Sequence, residues 1–268
     1  MTRKGYSAFM TYCVGILLDT GMVFASDSRT NAGVDHISTF CKMKVFERPG
    51  DRTIVIMTSG NLSLTQNALN MLELHSRRDD PQGNIWAAES LFDVASLLGQ
   101  SMREVKARDA TYMEQNNIDF GASFIVGGQI KGERMRLFRL YNEGNFIEAS
   151  NETTFFQIGE IKYGRPIIDR VVNPSTSLME AAKCVLVSFD STMRSNISVG
   201  LPIDLAWCER DALQLGLRRR IVEGDPYFDM IHKRWGEGLR RVFSQLPDPS
   251  WTDEDATRLQ QFQGEIFK

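Results

Sequence analysis

Apolar residues open this chain in short blocks set apart by turn residues. Thr11, Tyr12, Cys13, Val14 and Ile16 lead to Asp19-Thr20-Gly21, and residues 22–25 run on into Ser26-Asp27-Ser28-Arg29. β-branched and aromatic residues broken by a D-x-G turn predict a hairpin. A third strand is expected over 38–47, with Lys42 and Lys44 on one parity against Cys41, Met43 and Val45 on the other. Pro49-Gly50-Asp51 then turns the chain into a fourth strand over 52–60. Strands joined this tightly pair antiparallel, because a parallel crossover needs far more chain.

The period then changes. Asn61 is placed to cap a helix carrying Leu62, Leu64, Leu69, Leu72 and Leu74 on its apolar side. After a break at 79–83, Ile85, Ala88, Leu91, Phe92, Ala95, Leu98, Met102 and Val105 recur at helical spacing. Strands are expected again over 120–128, 135–141, 146–149 and 153–158. A helix start follows Gly159, and Asn173-Pro174-Ser175 precedes a helix carrying Leu178, Met179, Ala182, Val185, Leu186, Phe189 and Met193. Two more strands, over 199–207 and 213–221, precede a last helix from about Asp225. Strands grouped with strands and helices with helices predict an α+β layered fold, not a doubly wound sheet. Two stacked antiparallel sheets between helix pairs, a four-layer αββα sandwich, bury every apolar face. Residues 11–268 are expected to form a single domain with a long C-terminal helical extension. Residues 1–10 read as an N-terminal extension or a misassigned start.

Composition narrows the classes of function. The chain has 268 residues, and 31 Lys and Arg against 34 Asp and Glu give a net charge of -3, so nothing favours nucleic acid or an anionic membrane. Arg218-Arg219-Arg220 is the one strongly basic run, which an exposed strand edge explains. Cys13, Cys41, Cys184 and Cys208 are widely spaced with no C-x-x-C, and His36, His75 and His232 are scattered, so no metal is implied. Gly127-Gly128 lies outside any G-x-G-x-x-G pattern, and no cofactor is expected. No apolar stretch has membrane-span length and the start lacks a signal-peptide core, which makes the cytoplasm the default location.

The chemistry centres on Thr11. If the mature chain begins there, by translation from Met10 or by removal of a leading segment, one residue carries both a hydroxyl nucleophile and an amine base. An α-amine of pKa about 7.7–8.0 suits proton transfer at neutral pH. A nearby ammonium would favour its neutral form, and a buried ammonium needs a carboxylate. Asp27, at the end of a buried strand, and Lys42, on the next candidate strand, can supply that pair. Ser59-Gly60-Asn61, at a strand-to-helix junction, offers backbone donors for an oxyanion.

The leading threonine of TYCVGILLDTGMVFASDSR, the aspartate of SDSR, the lysine of CKMKVF and the glycine of IVIMTSGN together resemble the proteasome β-type family of N-terminal nucleophile (Ntn) hydrolases. The wording SDSRTNAGVDHISTF and the long final helix are most like its bacterial branch, Anbu. The resemblance implies the αββα fold and a self-compartmentalising threonine peptidase subunit. It implies Thr11 as nucleophile and base, Asp27 and Lys42 as the charged pair, and Gly60 as oxyanion donor. Thr30, Lys44 and Thr58 would border the pocket for a substrate side chain. Glu160, in Ile158-Gly159-Glu160-Ile161, stands where the family has a serine supporting the amine; a carboxylate there would raise the amine pKa and weaken the base. The later D-x-x-S element corresponds to Ser195 through Ser198, with Asp190 too early to match. Partners implied are a peptide or protein substrate, copies of the chain in a ring or spiral, and an ATP-dependent unfoldase of unknown identity. Two rivals accompany this reading: an Ntn amidohydrolase acting on a small amide, and a weakly active or non-catalytic assembly protein.

Overall fold

The computed structural model describes residues 11–31, 37–77 and 83–249, without the side chains of residues 30, 31, 37 and 38. Strands β1 (Tyr12–Leu18) and β2 (Gly21–Asp27) form the opening hairpin, with Leu18 opposite Gly21 and Asp19-Thr20 as its turn. The short β3 (Arg29–Asn31) and β4 (Ile37–Thr39) pair with each other, and β5 (Met43–Arg48) with β6 (Arg52–Gly60) make a second long hairpin. Helices α1 (Leu62–His75) and α2 (Leu91–Gln115) follow. Then come β7 (Ala122–Ile130), β8 (Arg136–Leu140), β9 (Phe146–Glu148) and β10 (Phe155–Gly159). Helices α3 (Arg165–Val171) and α4 (Leu178–Ser195) precede β11 (Ile203–Glu209), β12 (Leu217–Ile221) and α5 (Pro226–Gln245).

Two five-stranded antiparallel sheets result, ordered β10-β1-β2-β11-β12 and β5-β6-β7-β8-β9. Cys13, Met22 and Phe24 from the first sheet pack against Met57, Ile125 and Leu137 from the second. Strand alternation sends Ile54, Ile56, Phe124 and Val126 to the other face of the second sheet, where they meet Leu64, Leu98 and Met102 of α1 and α2. On the first sheet's outer face the Tyr12 ring lies 4.5 Å from that of Phe189 in α4. Helix pair, sheet, sheet, helix pair is the αββα sandwich.

Helix starts follow side-chain chemistry. Asn61 Oδ1 accepts from the Leu64 N–H, while Ser90 with Asp93 and Ser177 with Glu180 form capping boxes. Each cap satisfies backbone donors with no intrahelical partner and contributes about 1 kcal/mol.

The structure corrects several expectations. The strand expected over 38–47 is two, β4 and β5, interrupted at residues 40–42. Lys42 therefore escapes the shared parity with Lys44: its side chain is buried in the break, while that of Lys44 is 46% exposed on β5. Ile85 and Ala88 are buried but lie in the turns ahead of α2, which begins only after the Ser90 cap. Leu74 is exposed; Thr65 and Ala68 fill the buried side of α1 instead.

The described residues separate into two compact units, one ending at Asp225 and one beginning at Pro226. Every sheet and α1 to α4 belong to the first, and α5 belongs to the second. Among the described residues, no helix is long and apolar enough to cross a membrane.

Candidate active site

Thr11 immediately precedes β1 and is 5% exposed. Its neighbour fixes its position. The Tyr12 ring enters the layer between the first sheet and α4, where its hydroxyl meets Ser188 Oγ at 2.9 Å and accepts from Gln157 Nε2 at 2.5 Å. Burial pushes that phenol well above its ordinary pKa, so it stays protonated and acts as an anchor. The Tyr12 backbone N–H donates to Asp27 Oδ1 at 3.0 Å. Register alone brings Asp27 there, because the hairpin pairs Cys13 with Ser26 and the next residues out are Tyr12 and Asp27.

The same Oδ1 accepts from Lys42 Nζ at 2.8 Å, with the two side chains 0% and 5% exposed. Lys42 Nζ also donates to the Arg29 carbonyl at 2.5 Å. Its own carbonyl accepts from Thr58 N–H at 3.1 Å, which ties the break between β4 and β5 to β6. Burial pushes the Asp27 carboxyl up to about 6, against the opposing pull of Lys42 and of the Tyr12 backbone N–H. Among the described residues its Oδ2 has no hydrogen-bond partner. Two buried opposite charges, each also bonded to its own backbone partner, are stable only while both remain.

Two glycines are required by geometry. Gly60, ending β6, has φ +101°, and a Cβ there would lie 2.3 Å from the Gly121 carbonyl oxygen. Gly159, ending β10, has φ +83°, and a Cβ would fall 1.8 Å from the Thr11 carbonyl oxygen. Both let backbone approach where a side chain would strain or clash. The close approach at Gly159 lets the Glu160 N–H donate to the Thr11 carbonyl at 2.7 Å. The Glu160 carboxylate accepts from Asn196 Nδ2 at 3.0 Å and faces the Lys162 N–H at 3.4 Å.

Thr11, Asp27, Lys42 and Glu160 are thus gathered at one end of β1. Ser195 is exposed on the last turn of α4, and the contact to Glu160 goes through the next residue, Asn196. Ser198 donates its N–H to Asn196 Oδ1 at 2.9 Å, so it supports that amide from behind. Thr58 and Lys44 both line a cleft of about 450 Å³ that also reaches Lys42. The Thr30 side chain lies outside the described residues. Sequence reasoning missed the Arg29 carbonyl and Asn196. The first is a backbone group with no residue signature, and Asn196 reads only as a helix end.

The cleft lies between the face of α1 bearing Leu69 and Glu73, residues 40–44, Thr58 of β6 and Arg218 of β12. Lys44 pairs with Glu73 at 2.5 Å. Arg220 and Ser28 Oγ both engage Asp204, which also lies 3.4 Å from Cys41 Sγ.

No known protein-family profile matches this chain, and no curated protein does. Solved structures do. The chain is 50% identical to "Anbu (ancestral beta-subunit) from Yersinia bercovieri", over 90% of this chain and 100% of that one, with a TM-score of 0.85. It is 46% identical to the chain in "Helical Assembly of the Anbu Complex from Pseudomonas aeruginosa", over 90% and 99%, with a TM-score of 0.86. For Anbu from Hyphomicrobium sp. strain MC1 the identity is 44%, over 90% and 100%, with a TM-score of 0.83. The class follows: this is a proteasome-like β subunit with the N-terminal nucleophile hydrolase fold. Identity at this level over nine-tenths of the chain places it more narrowly. The chain belongs to the Anbu family, the ancestral β-subunit branch.

Proposed function

We propose that this chain is an N-terminal threonine hydrolase that cleaves peptide bonds, with Thr11 as the first residue of the mature protein. Thr11 Oγ1 attacks the scissile carbonyl carbon while the α-amine takes the hydroxyl proton and passes it to the leaving amine. The resulting ester is released when water, deprotonated by the same amine, attacks it. Lys42 keeps the amine in its neutral form, Asp27 holds Lys42 in place, and the Gly60 N–H receives the developing oxyanion. A single observation carries this reading: Asp27 Oδ1 accepts both Lys42 Nζ and the N–H of the residue after Thr11. A carboxylate serving only the core would not need a buried cation beside a strand's first residue.

Glu160 favours a second reading, a non-catalytic or weakly active assembly subunit, because a carboxylate beside the amine stabilises its protonated form. Its engagement by Asn196 draws the negative charge toward α4, which supports catalysis over that alternative. The helical assembly reported for the Pseudomonas aeruginosa relative supports self-association of this chain into a ring or spiral.

The test is the mass of the native chain followed by labelling with a threonine-directed peptide epoxyketone. The expected N-terminus is Thr-Tyr-Cys-Val, with one label per chain that Thr11→Ala abolishes. An intact Met1 terminus, or an unlabelled chain that starts at Thr11, would reject the catalytic reading.

A further inference from the structure

Three consecutive arginines on the edge strand β12 have different partners. Arg219 pairs with Asp225 at 2.7 Å and Arg220 with Asp204 at 2.8 Å. Arg218, the one that lines the cleft, has no carboxylate in ion-pair range among the described residues. The other cations of the cleft wall are already matched, Lys42 by Asp27 and Lys44 by Glu73. Among the described residues, three positive charges therefore face two carboxylates, and the excess sits on Arg218. Phe40, Met43 and Leu69 supply apolar surface in the same cleft. A hydrocarbon stem can lie on that surface with its charged end turned toward the guanidinium, which is suited to grip a carboxylate through parallel N–H groups.

We infer that this cleft receives an acidic side chain of a bound peptide, glutamate or aspartate, and that Arg218 reads its carboxylate. The inference rests on the proposed peptidase function only for which bond is cut; the charge preference holds in a chain that cuts nothing. Lys44 keeps ammonium hydrogens free beside its contact with Glu73 and adds a weaker second donor. A basic side chain meets an uncompensated like charge, and a neutral one leaves Arg218 unmatched.

Binding is tested apart from chemistry in the full chain carrying Thr11→Ala. Cys41 lines the cleft and is the exposed thiol among the four cysteines, so slowing of its alkylation by iodoacetamide reports occupancy. Blocked tripeptides that differ only in a glutamate, glutamine or lysine at the last position are the probes. Half-protection is expected at about fivefold lower concentration for glutamate than for glutamine, the scale of an accessible ion pair. Lysine should be weakest, and Arg218→Glu should reverse the order of glutamate and lysine. Equal protection by all three, protection by none, or an order that Arg218→Glu leaves unchanged overturns the inference. The same sequences as fluorogenic substrates of the Thr11 chain test the other claim. Glutamate-selective binding without Thr11-dependent hydrolysis would reject the peptidase function and leave the carboxylate-binding cleft standing. Hydrolysis of all three at equal kcat/KM with unselective binding would do the opposite.

Discussion

Lys42 and Lys44 stand two residues apart, each in an ion pair, and the two pairs differ in nearly every physical respect. The Lys44–Glu73 contact is the shorter, 2.5 Å against 2.8 Å for Lys42–Asp27. Its partners are 46% and 28% exposed, whereas the inner pair is 5% and 0% exposed. Water solvates the outer charges whether or not they meet, which limits such a pair to about 0–1 kcal/mol. The inner charges gave up hydration on folding, and each now depends on the other. Burial, not separation, ranks these interactions. One tripeptide thereby supplies a rigid inner element beside Thr11 and an adjustable outer wall on the cleft.

The largest break in that comparison is Lys42→Ala. It leaves Asp27 buried without a counter-charge and should lower unfolding free energy by about 3–5 kcal/mol, read by urea denaturation. Combining Asp27→Asn with Lys42→Met removes both charges and should recover most of that loss while Thr11-dependent hydrolysis stays absent. If Lys42→Ala costs no more than a surface substitution, the inner pair is as solvated as the outer one and the contrast fails.

Acidification separates stability from chemistry at the same carboxylate. Asp27 titrates near 6 in the folded chain against an ordinary 3.8, so between those values the folded chain holds more of this proton than the unfolded chain. Its contribution to stability is fully present below about pH 4 and is lost as pH rises through about 6, by up to about 3 kcal/mol. Other carboxylates, such as Asp204 held low by Arg220 and Ser28 despite its burial, move the opposite way, so the comparison must be with Asp27→Asn. The Tm advantage of the native chain over that variant should shrink from pH 4 to 6 and then level. Hydrolysis should rise over the same interval, because only the ionised carboxylate neutralises Lys42. A Tm difference that grows with pH would show that the carboxyl titrates below its ordinary range.

The comparison also marks what could be read from residue order. Hydrophobic patterning gave the four layers, since the near-continuous apolar runs of β1 and β6, buried on both faces, and the helical repeat on α2 each commit apolar faces that only a sandwich covers. Thr11, Asp27, Lys42 and Gly60 were legible as candidates through their order and spacing together, which resemble the proteasome β-type family; of the four, only the carboxylate closing a buried strand is unexpected on packing grounds alone. Which lysine points inward was not legible from parity. A strand pattern gives Lys42 and Lys44 the same face, and the break at residues 40–42 that turns them apart is held by long-range backbone bonds, from Thr58 N–H to the Lys42 carbonyl and from Phe40 N–H to the Ser28 carbonyl. Asn196 was hidden for a similar reason: its link to Glu160 spans 36 residues and depends on how α4 ends against the Gly159 turn.

The smallest effect is expected at the outer pair, and it is the one that tests the contrast most closely. Lys44→Ala and Glu73→Ala, with the double variant, form a cycle whose coupling energy should be below about 1 kcal/mol and should fall further at high salt, because exposed charges are screened. The inner cycle on Asp27 and Lys42 should couple several times more strongly and respond little to salt. An outer coupling equal to the inner one, insensitive to salt, would mean that Glu73 is held as firmly as Asp27. The cleft wall would then be part of the rigid core rather than a surface free to adapt to a ligand.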